Sequence, residues 1–216
     1  MTTTENAAGA EAMSPVEALI LVDAQAAFMT GDEAVPAAAE LLVQLKSLLA
    51  KAREAGAVIV HLQNDGAPGT VDEPGTPGWE LYLPVETGPR EKVVRKTEDN
   101  GFDGTNLGEL LRGEGVRSMA VCGVMSEMCV LATARAALED GYRVLLAHDA
   151  HATYDIPAGP GSEGVPAATA SRVAEWALGD EIEIVANASS VSFTEPTAQP
   201  ASPTSSASPA SPTSRG

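Results

Sequence analysis

The chain has 216 residues, 44% of them hydrophobic and 4% aromatic, enough for one sizeable core built mainly from Ala, Val and Leu. Against 30 Asp plus Glu there are 13 Lys plus Arg, a formal charge of −17, which excludes the phosphate-backbone and anionic-membrane classes of partner and leaves a cationic one open. No apolar run approaches the roughly 20 residues of a bilayer-crossing helix.

Residues 1–15 carry neither a basic leader region nor an apolar stretch and read as a flexible start. With only two cysteines, Cys122 and Cys129, this predicts a reduced, cytoplasmic protein. The first β-branched apolar run, Ala18-Leu19-Ile20-Leu21-Val22, predicts a strand that delivers Asp23 at its carboxyl end. A helix is predicted from Pro36 to Ala55, with Leu41, Leu45, Leu48, Leu49 and Ala52 on one stripe and Gly56 past its end. Ala57-Val58-Ile59-Val60 predicts the second strand.

The stretch from Gln63 to Arg90 then breaks the alternation with Gly66, Pro68, Gly69, Pro74, Gly75, Pro77, Gly78 and Pro84. It is too long for a passive connection and reads as a lid or pocket wall, with a surface insertion as the alternative. Lys92-Val93-Val94 is a third strand that runs on to Lys96. Ser118 to Cys122 is a fourth, followed by Gly123-Val124-Met125-Ser126-Glu127-Met128-Cys129 and a helix over Ser126 to Asp140. Arg143-Val144-Leu145-Leu146 is a fifth, with His148 and His151 beyond it, and a helix from Pro166 to Leu178 precedes the sixth, Glu181 to Val185. Residues 196–216 are almost all Pro, Ser, Thr and Ala and predict a disordered tail.

Strands that read as continuous apolar runs and alternate with helices predict one doubly wound α/β domain over 16–195, in three layers around a mostly parallel six-stranded sheet. In such sheets the ligand crevice lies at the carboxyl ends of the strands. An acid (Asp23), an amine (Lys96) and a thiol (Cys129) come to that edge. If Ser126 caps the following helix, Cys129 sits in the first turn, where the helix dipole favours a thiolate and free N–H groups suit an oxyanion. The competing roles are a small buried hydrophobe for Cys129 and a structural ion pair for Asp23 and Lys96. Cys122, inside an apolar strand, reads as core.

No glycine-rich dinucleotide fingerprint or phosphate loop is present, and His148-Asp149-Ala150-His151 does not match a zinc-binding spacing, so neither cofactor nor metal is expected. Trp79 and Phe102 are candidate pocket walls or core, and His151 and Tyr154 candidate pocket residues. Glu127 is a candidate for meeting a positive group of the substrate, or simply a first-turn acid.

Three separated segments resemble the isochorismatase-like cysteine hydrolases: Leu21-Val22-Asp23-Ala24-Gln25 through Phe28, Lys96 ahead of Gly101-Phe102-Asp103-Gly104-Thr105-Asn106-Leu107, and Cys122 to Val130 with Thr133-Ala134-Arg135. The resemblance implies that family's fold and a triad of Asp23, Lys96 and Cys129. It also implies a cis peptide between Val124 and Met125 and an oxyanion hole from the Met125 and Cys129 amides. Metal-dependent relatives carry an Asp-x-His motif after the second strand, where this chain has His61-Leu62-Gln63-Asn64-Asp65-Gly66 and lacks the metal-binding histidine. Within the family, the stretches Gly123 to Val130 and His148 to Pro157 are most similar to members that open a cyclic amide in a polycationic antibiotic. The implied partner is a small cationic amide substrate, and the implied assembly a homo-oligomer, dimer or tetramer. The alternatives are another amidase of the family, acting on a nicotinamide-like or carbamoyl substrate, and a non-catalytic binding protein of the same fold.

Overall fold

The structure is a computed structural model that describes residues 13–86 and 88–197. Most of the expected flexible start and disordered tail therefore lies outside the described residues. Six strands form one sheet: β1 (Ala18–Val22), β2 (Val58–Asn64), β3 (Glu91–Lys96), β4 (Ser118–Val124), β5 (Arg143–Ala152) and β6 (Glu183–Val185). Their order is β3-β2-β1-β4-β5-β6, and every neighbouring pair is parallel. The helices are α1 (Ala26–Met29), α2 (Ala38–Glu54), α3 (Leu107–Gly113), α4 (Leu131–Glu139) and α5 (Ala167–Ala177).

Side chains of a strand alternate between the two sheet faces, and here both faces are buried. On β1, Leu19 and Leu21 join a core with Leu41, Leu45, Leu48 and Leu49 of α2. Ala18, Ile20 and Val22 face the other way, into a second core with Leu107 and Leu111 of α3 and Ala134 and Ala137 of α4. Two apolar layers on a parallel sheet account for the absence of any polar stripe in β1 or β4. Among the described residues no helix is long and apolar enough to cross a membrane.

The structure adds elements that the sequence pattern does not signal, namely α1 and α3, both short. It also extends β5 well past the apolar run, through His148 and His151 to Ala152. Between Val121↔Leu146 and Gly123↔His151 the pairing of β4 with β5 shifts register, so β5 carries three more residues than β4 across that interval. A bulge of this kind bends its strand and re-aims side chains.

Candidate active site

β1 and β4 are neighbours at the centre of the sheet, and successive strands move outward from them in opposite directions. This is the topological switch point, where open α/β sheets form their ligand crevice. Gly123 lets the two strands close there. Its φ is +122°, and a Cβ on it would lie 2.0 Å from the Val22 carbonyl oxygen. Asp23 follows β1 in the left-handed region, with φ 49°, and its carbonyl accepts a 2.7 Å bond from the Gln25 N–H.

Lys96 closes β3 and reaches past the end of β2. Its Nζ lies 2.8 Å from Asp23 Oδ2, with both side chains buried, and 3.3 Å from Cys129 Sγ. The structure thus brings the expected acid, amine and thiol together. The ammonium also donates to Asn64 Oδ1 at 3.4 Å and to the Glu98 carbonyl at 3.2 Å. Asp23 Oδ1 is buried and has no hydrogen-bond partner among the described residues.

Burial raises the pKa of the Asp23 carboxyl, opposed by the Lys96 charge. Burial would lower that of Lys96, but the Asp23 and Cys129 charges outweigh it and hold the ammonium above its ordinary value. The Cys129 thiol is pushed far up, by burial first and by the Asp23 charge second, with Lys96 pulling the other way. Burial and the Asp23 charge thus work against the thiolate that a helix terminus would favour, and the Lys96 charge works for it.

The Val124–Met125 peptide is cis. After it comes a π turn, Ser126–Val130, that leads directly into α4. The Met125 carbonyl accepts from the N–H groups of Met128 and Val130 at 3.1 and 3.2 Å. Ser126 is not the cap expected of it. The turn is preceded by Met125, with no side-chain capping bond, because the Ser126 hydroxyl is engaged elsewhere: it lies 2.8 Å from His151 Nδ1 and 2.9 Å from Ser171 Oγ. Cys122 is wholly buried, its sulfur 3.5 Å from the Ile20 carbonyl.

The remaining candidates scatter. Trp79 pins the Gly/Pro-rich loop: its indole N–H donates to Asp65 Oδ1 at 2.9 Å, Arg95 lies over its ring at 5.0 Å, and its carbonyl accepts from Gln25 and Gln63. Phe102 packs beside Tyr142, ring centroids 6.3 Å apart, against the second core. Glu127 accepts a 2.9 Å bond from Thr153 through Oε1, while its Oε2 is buried without a partner among the described residues. His151 is buried in the hydrogen bond to Ser126, and the Tyr154 hydroxyl donates to the Glu33 carbonyl.

Four residues of the site escaped the sequence reading. Gln25, fully buried, binds the Asn64 backbone on both sides, donating to its carbonyl at 3.0 Å and accepting from its N–H at 2.8 Å. The Asn64 amide donates to Asp72 Oδ2 at 2.7 Å, so the Gly/Pro-rich loop reaches Lys96 through one side chain. Asp99 Oδ1 lies 3.6 Å from Cys129 Sγ. For Gln25, Asn64 and Asp99 the sequence signal is nearness to a strand end, and for Asp72 it is only membership of the Gly/Pro-rich loop, neither of which singles out a partner.

A family model of the isochorismatase domain matches residues 17–159. Two proteins named streptothricin hydrolase, both from Streptomyces noursei, are 66% identical to the chain: one over 187 residues, 86% of this chain and 68% of that protein, and one over 185 residues, 85% and 73%. An isochorismatase from Pseudomonas putida KT2440 superposes with a TM-score of 0.74 at 31% identity, covering 83% of this chain and 93% of that one. The domain match spans both strands of the switch point and every contact of the buried acid, amine and thiol, and with it the chain belongs to the isochorismatase family.

Proposed function

We propose that the protein is a cysteine-dependent amide hydrolase that opens the lactam of the streptolidine ring in streptothricin antibiotics. The observation that carries the chemistry is the buried contact of Lys96 with both Asp23 and Cys129. The substrate rests on the 66% identity to the two streptothricin hydrolases.

In this reading the unpartnered Asp23 Oδ1 accepts the Cys129 proton as the sulfur attacks the lactam carbonyl, and Lys96 stabilises the sulfur's developing charge. The carbonyl oxygen becomes an oxyanion held by the Met125 and Cys129 N–H groups. The C–N bond breaks, Asp23 returns its proton to the departing amine, and a thioester remains. Water, deprotonated by Asp23, attacks the thioester and releases the carboxylic acid and the thiol. Because the amide is cyclic, amine and acid stay in one molecule, which has gained one water.

The cationic character of the substrate, a dimeric or tetrameric assembly and a cytoplasmic setting belong to the same proposal. The charge of −17 and the buried free oxygen of Glu127 support the first. The free state of both cysteines supports the last. The test incubates the protein with streptothricin and, separately, with nicotinamide, and follows mass. The expected result is addition of one water to streptothricin alone, lost in a folded Cys129→Ala variant. Streptothricin left intact by the folded wild type, or turned over by Cys129→Ala, refutes the reading.

A further inference from the structure

In sequence, His148-Asp149-Ala150-His151 does not match a zinc-binding spacing, and in a regular strand two residues three apart would send their side chains to opposite faces. The bulge in β5 removes that objection. With three extra residues between Leu146 and His151, the two rings come to the same side, edge to face, with centroids 6.3 Å apart. Glu175 of α5 completes the group, its Oε1 2.5 Å from His148 Nδ1 and 3.1 Å from His151 Nε2. All three ligand atoms lie within 4.8 Å of one another. Donors about 2.1 Å from a tetrahedral zinc ion are themselves about 3.4 Å apart, so the cluster sits close to coordinating spacing before any ion enters.

We propose that His148 Nδ1, His151 Nε2 and the Glu175 carboxylate form a binding site for a divalent first-row transition-metal ion such as zinc, separate from the site at Asp23, Lys96 and Cys129. Two imidazoles and a carboxylate with an open fourth position are a donor set that suits zinc. The surroundings orient each ligand. When Nδ1–H of His151 donates to Ser126 Oγ, Nε2 keeps its lone pair for the ion, the outer-shell arrangement that metal-bound histidines favour. Arg172 Nη1, 3.5 Å from Glu175 Oε2, holds the second carboxylate oxygen. His148 and His151 line a cavity of about 260 Å³ together with Asp149, Ser171 and Glu40, and none of the three residues of the catalytic proposal lines it. His148 is the exposed ligand, its side chain 51% accessible, whereas Glu175 is buried. The ion would tie β5 to α5 across the turn that carries Cys129, since Ser126 also contacts Ser171 of α5.

The experiment strips the full chain with a chelator, titrates it with zinc chloride and counts bound metal. The wild type and Cys129→Ala should each bind about one zinc per chain. Ser126→Ala should bind about 10- to 100-fold more weakly, as outer-shell changes do, and His148→Ala and Glu175→Gln more weakly still. Cobalt in place of zinc should give a nitrogen/oxygen-ligated spectrum with no thiolate charge-transfer band. No saturable binding, binding unchanged in His148→Ala, or a thiolate band that disappears in Cys129→Ala overturns the proposal. Should Glu175→Gln fail to fold, the half-exposed His148 alone decides the matter.

Discussion

Asp72, in the Gly/Pro-rich loop, accepts a 2.7 Å hydrogen bond from the Asn64 amide, and the other end of that amide faces the Lys96 ammonium. A segment that looks like an insertion thereby fixes the position of a buried charge. Asp72 is itself 6% exposed and accepts from Thr70 through its second oxygen, so both carboxylate oxygens are engaged.

Removing the clamp should cost rate more than binding. Asp72→Ala leaves the Asn64 amide free to turn, and Lys96 loses one of its oxygen neighbours. We expect kcat to fall about tenfold, equivalent to about 1.4 kcal/mol in the barrier, with KM nearly unchanged. Asp72→Asn keeps an acceptor for Asn64 and should recover most of the loss. Steady-state kinetics on the three proteins decides this, and equal kcat values would show that the loop does not position Lys96.

The pH dependence follows from the direction of two shifts. Asp23 must be ionised to take a proton, and its pKa lies above the ordinary value. Activity should therefore fall, as pH is lowered, at a midpoint above the ordinary aspartate value of about 3.9. Lys96 must stay charged, and its pKa is raised, so the alkaline fall should come no earlier than the ordinary lysine value of about 10.4. A kcat/KM profile with its acid midpoint at or below 3.9, or one lost well below pH 10, would contradict these assignments.

The strand ends were legible because burial writes them plainly: Leu19 to Val22 must lie inside, so the charge that follows must sit at an edge with a partner. Hence Asp23, Lys96 and Cys129 could be placed before their distances were known. Ser126 was misplaced because its spacing to the helix fits a cap, while His151 and Ser171, which claim its hydroxyl, come from elements distant in sequence. Glu175 was invisible as a partner of His148 and His151 for the same reason, and the β5 bulge has no sequence signature in so polar a stretch.

Gly123 tests how closely β1 and β4 must approach. In Gly123→Ala the new Cβ would meet backbone, the Val22 carbonyl, at a φ of +122° that side chains rarely adopt. A destabilisation of about 3 kcal/mol or more is expected, since strain and overpacking each contribute about 1–3 kcal/mol. Urea unfolding should register this as a lower midpoint, and an unchanged midpoint would mean that the strands part without cost.

The charge of −17 should be felt by a cationic substrate before it reaches the thiol. Attraction of this kind acts on encounter and is screened within about 10 Å at 0.1 M salt, whereas the buried contact of Lys96 with Asp23 is shielded from solvent ions. Lowering the ionic strength should therefore raise kcat/KM for streptothricin and leave kcat unchanged. A neutral amide turned over by the same site should show no such dependence, which separates steering of the substrate from any effect of salt on the protein. If kcat/KM for the cationic substrate is flat across the same salt range, the acidic surface plays no part in capture, and recognition must come from groups at the site such as Glu127.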